Sequence, residues 1–522
     1  MFKENHSLKL MAGYEVLKVN GRQVGGSRVN YFSDNPNYLS LNTGSPIGQS
    51  NYSNYYLQTG NSILAKVDYA YKDKYLVGLN GRRDGSSVFG PDNRYGNFWS
   101  ASAGWVVSQE EFFKNVKFIN SLKVRGSYGI LGSISNVSAL NQYTLYGGSG
   151  GSSYYDLNGT SSSTVMGFYA TNLGNTKTGW EKDKILDLGI DASVLNNKLD
   201  ITFDWYKKSI QGLLFQDQAP AVVGVGSQLP QVNIGDLQNT GIDLGITYRG
   251  KINNDLSYTV GANIGAYKSL VVNIPGAAGF FEAAGTHNTG NQVRDAVGHP
   301  VGSFFGYKIA GIYQSAADVA AWAKETDAAP GRFKYVDVNK DGIIDDKDRT
   351  FFGDPNPAFT AGINLGVTYK QFDISTVLYG SFGNNVLNYT RYFQDFYPQF
   401  QNAKSIPLLT QSWLPTRTNT KYPIVENGSY FSTNGVINDF YNEDGSYVRV
   451  KQLSVGYTIS PATLKRYGIE KARVYLQGAN LFTFTKYSGL DPEVAGSSVS
   501  FGVDYGNYPP SKTFNVGVSL TF

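Results

Sequence analysis

Residues 242–264 read IDLGITYRGKINNDLSYTVGANI. Ile242, Leu244, Ile246 and Tyr248 fall on one face of an extended segment, against Asp243, Thr247 and Arg249 on the other. After the polar break RGKINNDL the alternation resumes, with Leu256, Tyr258, Val260, Ala262 and Ile264 against Ser257, Thr259 and Asn263. A period of two on both sides of a short turn predicts paired antiparallel strands. The same period sets Leu199, Ile201, Phe203 and Trp205 against Asp200, Thr202 and Asp204, and Leu122, Val124, Tyr128 and Ile130 against Lys123, Arg125 and Ser127. In the closing SKTFNVGVSLTF it gathers Phe514, Val516, Val518, Leu520 and Phe522 on one side. A soluble β-sandwich would alternate in the same way. Many of these runs, however, reach the roughly 9 to 11 residues that cross a bilayer at a tilt, beyond the mode of about 5 to 6 for soluble sheets. Short turns such as YKQFD (369–373) also alternate with long loops, so the expected fold is all-β: a transmembrane antiparallel barrel of roughly fourteen strands over residues 1–522, with long extracellular loops.

Composition agrees. The 522 residues include 60 Gly, 38 Tyr and 30 Phe, with 3 Met, 3 His and no Cys. Tyr and Phe suit strands and membrane-interface girdles. Without cysteine there is no disulfide framework or thiolate metal site. The net charge of +4 comes from 45 basic and 41 acidic residues scattered along the chain, which gives no nucleic-acid footprint. No apolar run of about 18 residues offers a membrane helix. One helical patch stands out, SAADVAAWAKE (315–325), where Ser315 and Asp318 have capping-box spacing.

Eight blocks carry a resemblance. They are RRDGSSVFGPDNRYGNFWSASAGW (82–105), SLKVRGSYGILG (121–132), GWEKDKILDLGIDASVLNNKLDITFDWYKKS (179–209), NIGDLQNTGIDLGITY (233–248), GHPVGSFFGYKIAGIYQ (298–314), FKYVDVNKDGIIDDKDRTFFGDPNP (333–357), GSYVRVKQLSVGYTIS (445–460) and YSGLDPEV (487–494). In content and order they resemble the SusC/RagA-type TonB-linked outer-membrane transporters of Bacteroidetes. That resemblance implies a nutrient importer of about 22 strands, multi-pass in the bacterial outer membrane and in contact with its lipids. It also implies a plug domain through which TonB acts, a SusD-like surface lipoprotein as lid, and a glycan or peptide ligand. The blocks begin part-way round the family's barrel, so the chain is expected to be its C-terminal portion, without plug or TonB box and with two strand edges left unpaired. The alternative is a barrel that displays loops for adhesion or anchors a lipoprotein without active transport.

Two stretches are candidate sites. DVNKDGIIDDKDR (337–349) places side-chain oxygens at the calcium-loop positions one, three, five, nine and twelve, namely Asp337, Asn339, Asp341, Asp345 and Asp348, with the Ile343 carbonyl as a further donor and Gly342 at the sharp turn. Its flanks are extended and proline-broken, so it is not an EF-hand, and Asp348 stands where a bidentate Glu is usual. The two readings are a structural calcium ion and an acidic turn. The second stretch opens the long loop 389–445 with Tyr392, Phe393, Phe396, Tyr397 and Phe400. Aromatic faces stack on sugars and fill peptide pockets, so these rings are either ligand or lid anchors or the loop's own packing.

No enzymatic reading gathers support. GGSGGSS (147–153) lacks the Lys-Ser/Thr pair and the helix of a phosphate loop. His6, His287 and His299 are dispersed. Asp491 and Glu493 in LDPEV are expected to be structural rather than a glycosidase pair.

Overall fold

The computed structural model describes residues 5–135, 137–148, 153–159, 164–216, 229–275, 279–282, 289–397, 404–460, 464, 468–494, 496 and 500–522. A fifteen-stranded antiparallel sheet dominates, and fourteen of its strands follow one another in chain order. They are β1 His6–Val29, β2 Ser45–Tyr71, β3 Tyr75–Ser86, β4 Tyr95–Val106, β5 Ile119–Ser133, β6 Glu181–Val194, β7 Leu199–Gln211, β8 Asp236–Lys251, β9 Leu256–Asn273, β10 Phe359–Tyr369, β11 Phe372–Phe382, β12 Tyr447–Ile459, β13 Lys471–Ala479 and β14 Thr513–Thr521.

The chain forms two compact units. One comprises Met1–Ala103, Ser127–Ile185 and Ile210–Gly235, the other Gly104–Gly126, Leu186–Ser209 and Asp236–Phe522. In the first, β1 pairs with β2 from His6↔Tyr71 to Ser27↔Ser50, and β2 with β3 from Gly60↔Ser86 to Tyr71↔Tyr75. Lys72 and Asp73 make the turn with positive φ. The second unit holds the ladder from β8 to β14. Its register bears out the alternation, pairing Ile242 with Ala266, Leu244 with Ile264 and Tyr248 with Val260.

Turn chemistry sets the connections. Leu195, Asn196 and Asn197 all adopt positive φ between β6 and β7, a region Asn tolerates better than most residues. Only residues 370–371 separate β10 from β11. In the second unit such turns alternate with the long connections 274–358, 383–446 and 480–512. Within 302–314, Phe304–Gly306 pairs with Thr350–Gly353 and Ile309–Ile312 with Phe333–Tyr335. These pairs lie outside the large sheet, so the whole stretch 274–358 belongs to one connection on the long-loop side.

One face of the second unit's ladder is an apolar belt. Ile363, Val367, Ile374 and Leu476 remain 41%, 42%, 48% and 53% exposed, and Val516 79%. Their strand neighbours on the opposite face are polar. There Arg125 donates to Asp187, Asp191 and Asp204 at 3.2, 3.1 and 2.8 Å, and Arg473 Nε donates to Asp373 at 2.9 Å. In water such a belt would aggregate; in lipid it is the required surface. Rings mark its margins. Phe359 and Phe382 stack at 4.8 Å on the long-loop side, and Phe372 packs on Tyr457 at 4.9 Å beside the turn. The eleven residues of β10 rise about 34 Å at about 3.4 Å each. At a tilt of about 45° that gives about 24 Å, close to the ~25 Å height of an outer-membrane apolar band.

The helical patch proves shorter than its sequence suggests, running from Ala316 to Ala321. The Ser315 hydroxyl accepts from the Asp318 amide at 3.2 Å, and Asp318 Oδ2 accepts from the Gln314 amide at 3.0 Å, so the capping reading holds with the return bond moved by one residue. It is not the chain's sole helix. Ile406–Gln411 forms a second, capped by Ser405 with Pro407 in its first turn.

Candidate functional site

The long connections of the second unit fold on one another. Val293, Phe304, Leu387, Tyr389, Tyr392, Phe396, Leu408, Ile437, Tyr441 and Val503 form one buried cluster, and Tyr307, Ile312, Phe333, Tyr335, Ile344 and Trp413 a second. Backbone bonds knit the same segments: Tyr307 donates to the Ile437 carbonyl at 3.0 Å, Phe333 to Ser432 at 2.8 Å and Leu387 to Gly502 at 2.9 Å. Loops with their own core form a shaped, persistent surface, as a binding face requires.

The aromatic run divides between core and surface. Tyr392 and Phe396 are buried, Phe393 and Tyr397 half-buried, and Phe400 lies outside the described residues. Tyr392 stacks on Tyr389 at 4.9 Å, while Phe393 meets Tyr389 edge-on at 5.4 Å. A π-helical turn over Tyr392–Phe396, closed by the Tyr397 amide on the Tyr392 carbonyl at 2.9 Å, directs Tyr392 and Phe396 inward. Of the run, Phe393 and Tyr397 are the described rings with surface left for a partner.

The acidic turn hangs from the second cluster. Ile344 is buried there, its amide donates to the Lys324 carbonyl at 2.9 Å, and the Lys324 amide donates to the Gly342 carbonyl at 2.8 Å. The side chains wind the turn. Asp337 Oδ2 accepts from the Gly342 amide at 2.9 Å, Asn339 Oδ1 from Asp341 at 3.0 Å, Asp341 Oδ1 from Ile343 at 3.0 Å and Asp345 Oδ1 from Lys347 at 2.8 Å. Gly342 has φ +82°, which a side chain would oppose. Asp348 is fully buried; its oxygens accept from the amides of Val338 at 2.8 Å, Asn339 at 3.4 Å and Asp345 at 2.9 Å. Position twelve therefore fastens the backbone. Among the described residues no three acidic or histidine side chains are arranged so that they could hold a metal ion as they stand. Asp337 Oδ1 is buried without a hydrogen-bond donor.

Two groups escaped the sequence reading. Arg449, 1% exposed, donates to both oxygens of Asp491 at 2.7 and 2.6 Å, to Glu493 at 2.5 Å and to the Thr483 hydroxyl at 2.8 Å. This gives Asp491 and Glu493 the structural role expected of them and names the partner that was missed. Glu325 looks like a surface residue in SAADVAAWAKE but is buried, accepting from the Tyr313 hydroxyl at 2.8 Å and the Tyr335 amide at 3.2 Å. Burial pushes its carboxyl from the usual 4.5 up to about 7. The folded state thus holds this proton more tightly than the unfolded chain does. Stability is full below about pH 4.5 and falls as pH rises through 7. We expect the loops to lose on the order of 3 kcal/mol between pH 4.5 and 8 from this group, read by hydrogen exchange at the Tyr335 amide. Glu325→Gln should flatten the slope, leaving the same-direction contribution of Asp295, which burial pushes up to about 6.

The comparisons bear on the whole chain. The family model described as TonB dependent receptor-like, beta-barrel matches residues 5–481. TonB-dependent receptor P3 of Formosa agariphila is 34% identical, aligning with 99% of this chain and 51% of its own length. TonB-dependent receptor SusC of Bacteroides thetaiotaomicron is 28% identical over 88% of this chain and 43% of its own. The solved RagAB peptide transporter superposes with a TM-score of 0.81 at 22% identity, covering all of this chain and 54% of that one; at that identity it speaks for the fold alone. The chain spans about half the length of the curated relatives it matches. The lipid-facing belt, the short turns against long folded loops and the match from residue 5 to 481 together place the chain in the TonB-dependent receptor family of outer-membrane β-barrels.

Proposed function

We propose that this chain is the barrel portion of a TonB-dependent outer-membrane nutrient importer that works with a SusD-like lipoprotein lid and takes up an oligosaccharide or peptide. The observation that carries this reading is the pair of buried clusters tying 289–358, 383–446 and 480–512 together. A barrel needing only a pore has little use for loops with a core, whereas a ligand held beneath a lid needs a fixed floor. The relatives support the reading by name: one is called SusC, and another structure is titled a peptide transporter. The test replaces Phe393 and Tyr397 by Ser in the full-length protein and measures growth on the nutrient together with lid co-purification. Both should weaken with the protein still inserted. Normal uptake with normal lid recovery would assign these rings to packing, and a lid that co-purifies with a protein incapable of uptake would favour the anchoring role.

We further infer that the acidic turn takes calcium through Asp337, Asn339, Asp341, Asp345 and the Ile343 carbonyl, with Asp348 as the backbone fastener. Asp337 Oδ1, buried without a donor, favours this reading. With five donors the affinity should be near the ~10⁻⁴ to 10⁻³ M of extracellular modules. Calorimetric titration of the full chain should show uptake that the Asp337→Ala, Asp341→Ala double variant lacks; identical traces would leave an acidic turn.

A further inference from the structure

At the long-loop margin of the belt, the lipid face of the second unit changes character. Below it the rows are bulky, such as Leu244 with Ile264. Above them Ile242 pairs with Ala266, and Thr240 with Lys268. With Trp205 as one wall and Ala358 beyond, these residues line an open groove of about 350 Å³. The small side chain of Ala266, opposite Ile242 in the ladder, leaves the groove open.

Two cations border the groove. Lys268 lies at its rim, and Lys207 stands two residues beyond Trp205 on the same face of β7. Both are exposed, and neither ammonium has an ion-pair or hydrogen-bond partner among the described residues. Ala266 is level with Phe359 in the aromatic margin, because Gly265 pairs with Thr360. The lysines therefore sit one row outside the hydrocarbon, at headgroup height. Snorkelling alone would explain a lysine at this depth; it does not explain a groove cut into the apolar wall beneath two of them.

We propose that this groove seats an outer-leaflet lipid whose phosphate headgroup carries net negative charge. The acyl chain lies against Trp205, Ile242, Ala266 and Ala358, and the phosphate sits between Lys207 and Lys268 within reach of the Thr240 hydroxyl. The occupant follows from the juxtaposition: hydrocarbon fits the groove, an anion fits the two free ammonium groups, and lipid is the medium that presents both at this depth.

The test uses the full-length protein in detergent micelles doped with phosphatidylglycerol or phosphatidylcholine, with bound lipid read by native mass spectrometry. Folding is checked by heat-modifiable gel migration, and no transport step is involved, so the outcome is independent of the importer reading. Phosphatidylglycerol should be retained over phosphatidylcholine. Lys207→Gln with Lys268→Gln should lower retention on the order of twentyfold, given roughly fivefold per surface ammonium. Ala266→Trp, which fills the groove and keeps both lysines, should also release the lipid, whereas Lys251→Gln at the short-turn end should leave retention unchanged. Equal retention by the double-Gln variant would overturn the proposal. So would displacement of the lipid by millimolar inorganic phosphate, which would mark an ion site rather than a lipid seat.

Discussion

An arginine at Leu244 or Val516 should impair membrane assembly by about 2 to 4 kcal/mol, the cost of a basic side chain near the bilayer midplane. Leu244 stands mid-strand in β8, between Ile242 and Ile246 on the belt, and Val516 is among its most exposed members. Asp243→Lys is the control. Its side chain points to the opposite face, where the acidic Asp187 and Asp204 already hold the cation of Arg125, so an added cation there should cost far less. Folding into vesicles of fixed acyl length, followed by urea titration, gives the difference directly. Equal costs on both faces would remove the lipid assignment of the belt.

Truncating Arg449 should cost more. Arg449→Ala leaves Asp491, whose side chain is 15% exposed, without the cation that compensates it, while Glu493 keeps Lys451 at 2.8 Å; breaking a buried pair from one side costs about 3 to 5 kcal/mol. The loss should be local. Asp491 and Glu493 lie in the connection 480–512, which Arg449 ties to β12, so limited proteolysis should cut that connection while the strands stay protected. Arg449→Lys should rescue little, since one ammonium cannot reach Asp491, Glu493 and Thr483, which Arg449 meets with three separate nitrogens. A protease-resistant Ala variant would show that the connection is held by its apolar contacts, Val503 foremost.

Strands were legible because their code is local. The polar break after Tyr248 and the period of two on either side of it give the hairpin, while its register and the turn at Asn196 and Asn197 come from the structure. The loops are written differently. Nothing near Tyr392 or Phe396 says they are buried, since the partners Val293, Ile437 and Val503 lie far along the chain. Asp348 has a ligand's spacing yet turns inward, because three amides of its own loop converge on it. Ile406–Gln411 has too few turns to show a period. Glu325 follows a helical patch whose polar residues look solvated, and only Tyr313 and Tyr335, brought over by the short strands, reveal otherwise.

The clusters under the loops also impose an order in time. Neighbouring strands pair with their sequence neighbours, so the sheet can grow hairpin by hairpin at low loop-closure cost. The cluster that holds Val293 also holds Val503; it cannot close until β10 through β13 are in place between them. Its completion therefore reports that a long run of strands has been inserted in correct register. A one-residue slip anywhere in that run would flip side chains to the wrong face and leave the cluster open. The loop core thus works as a proofreading device, making surface display conditional on a finished sheet.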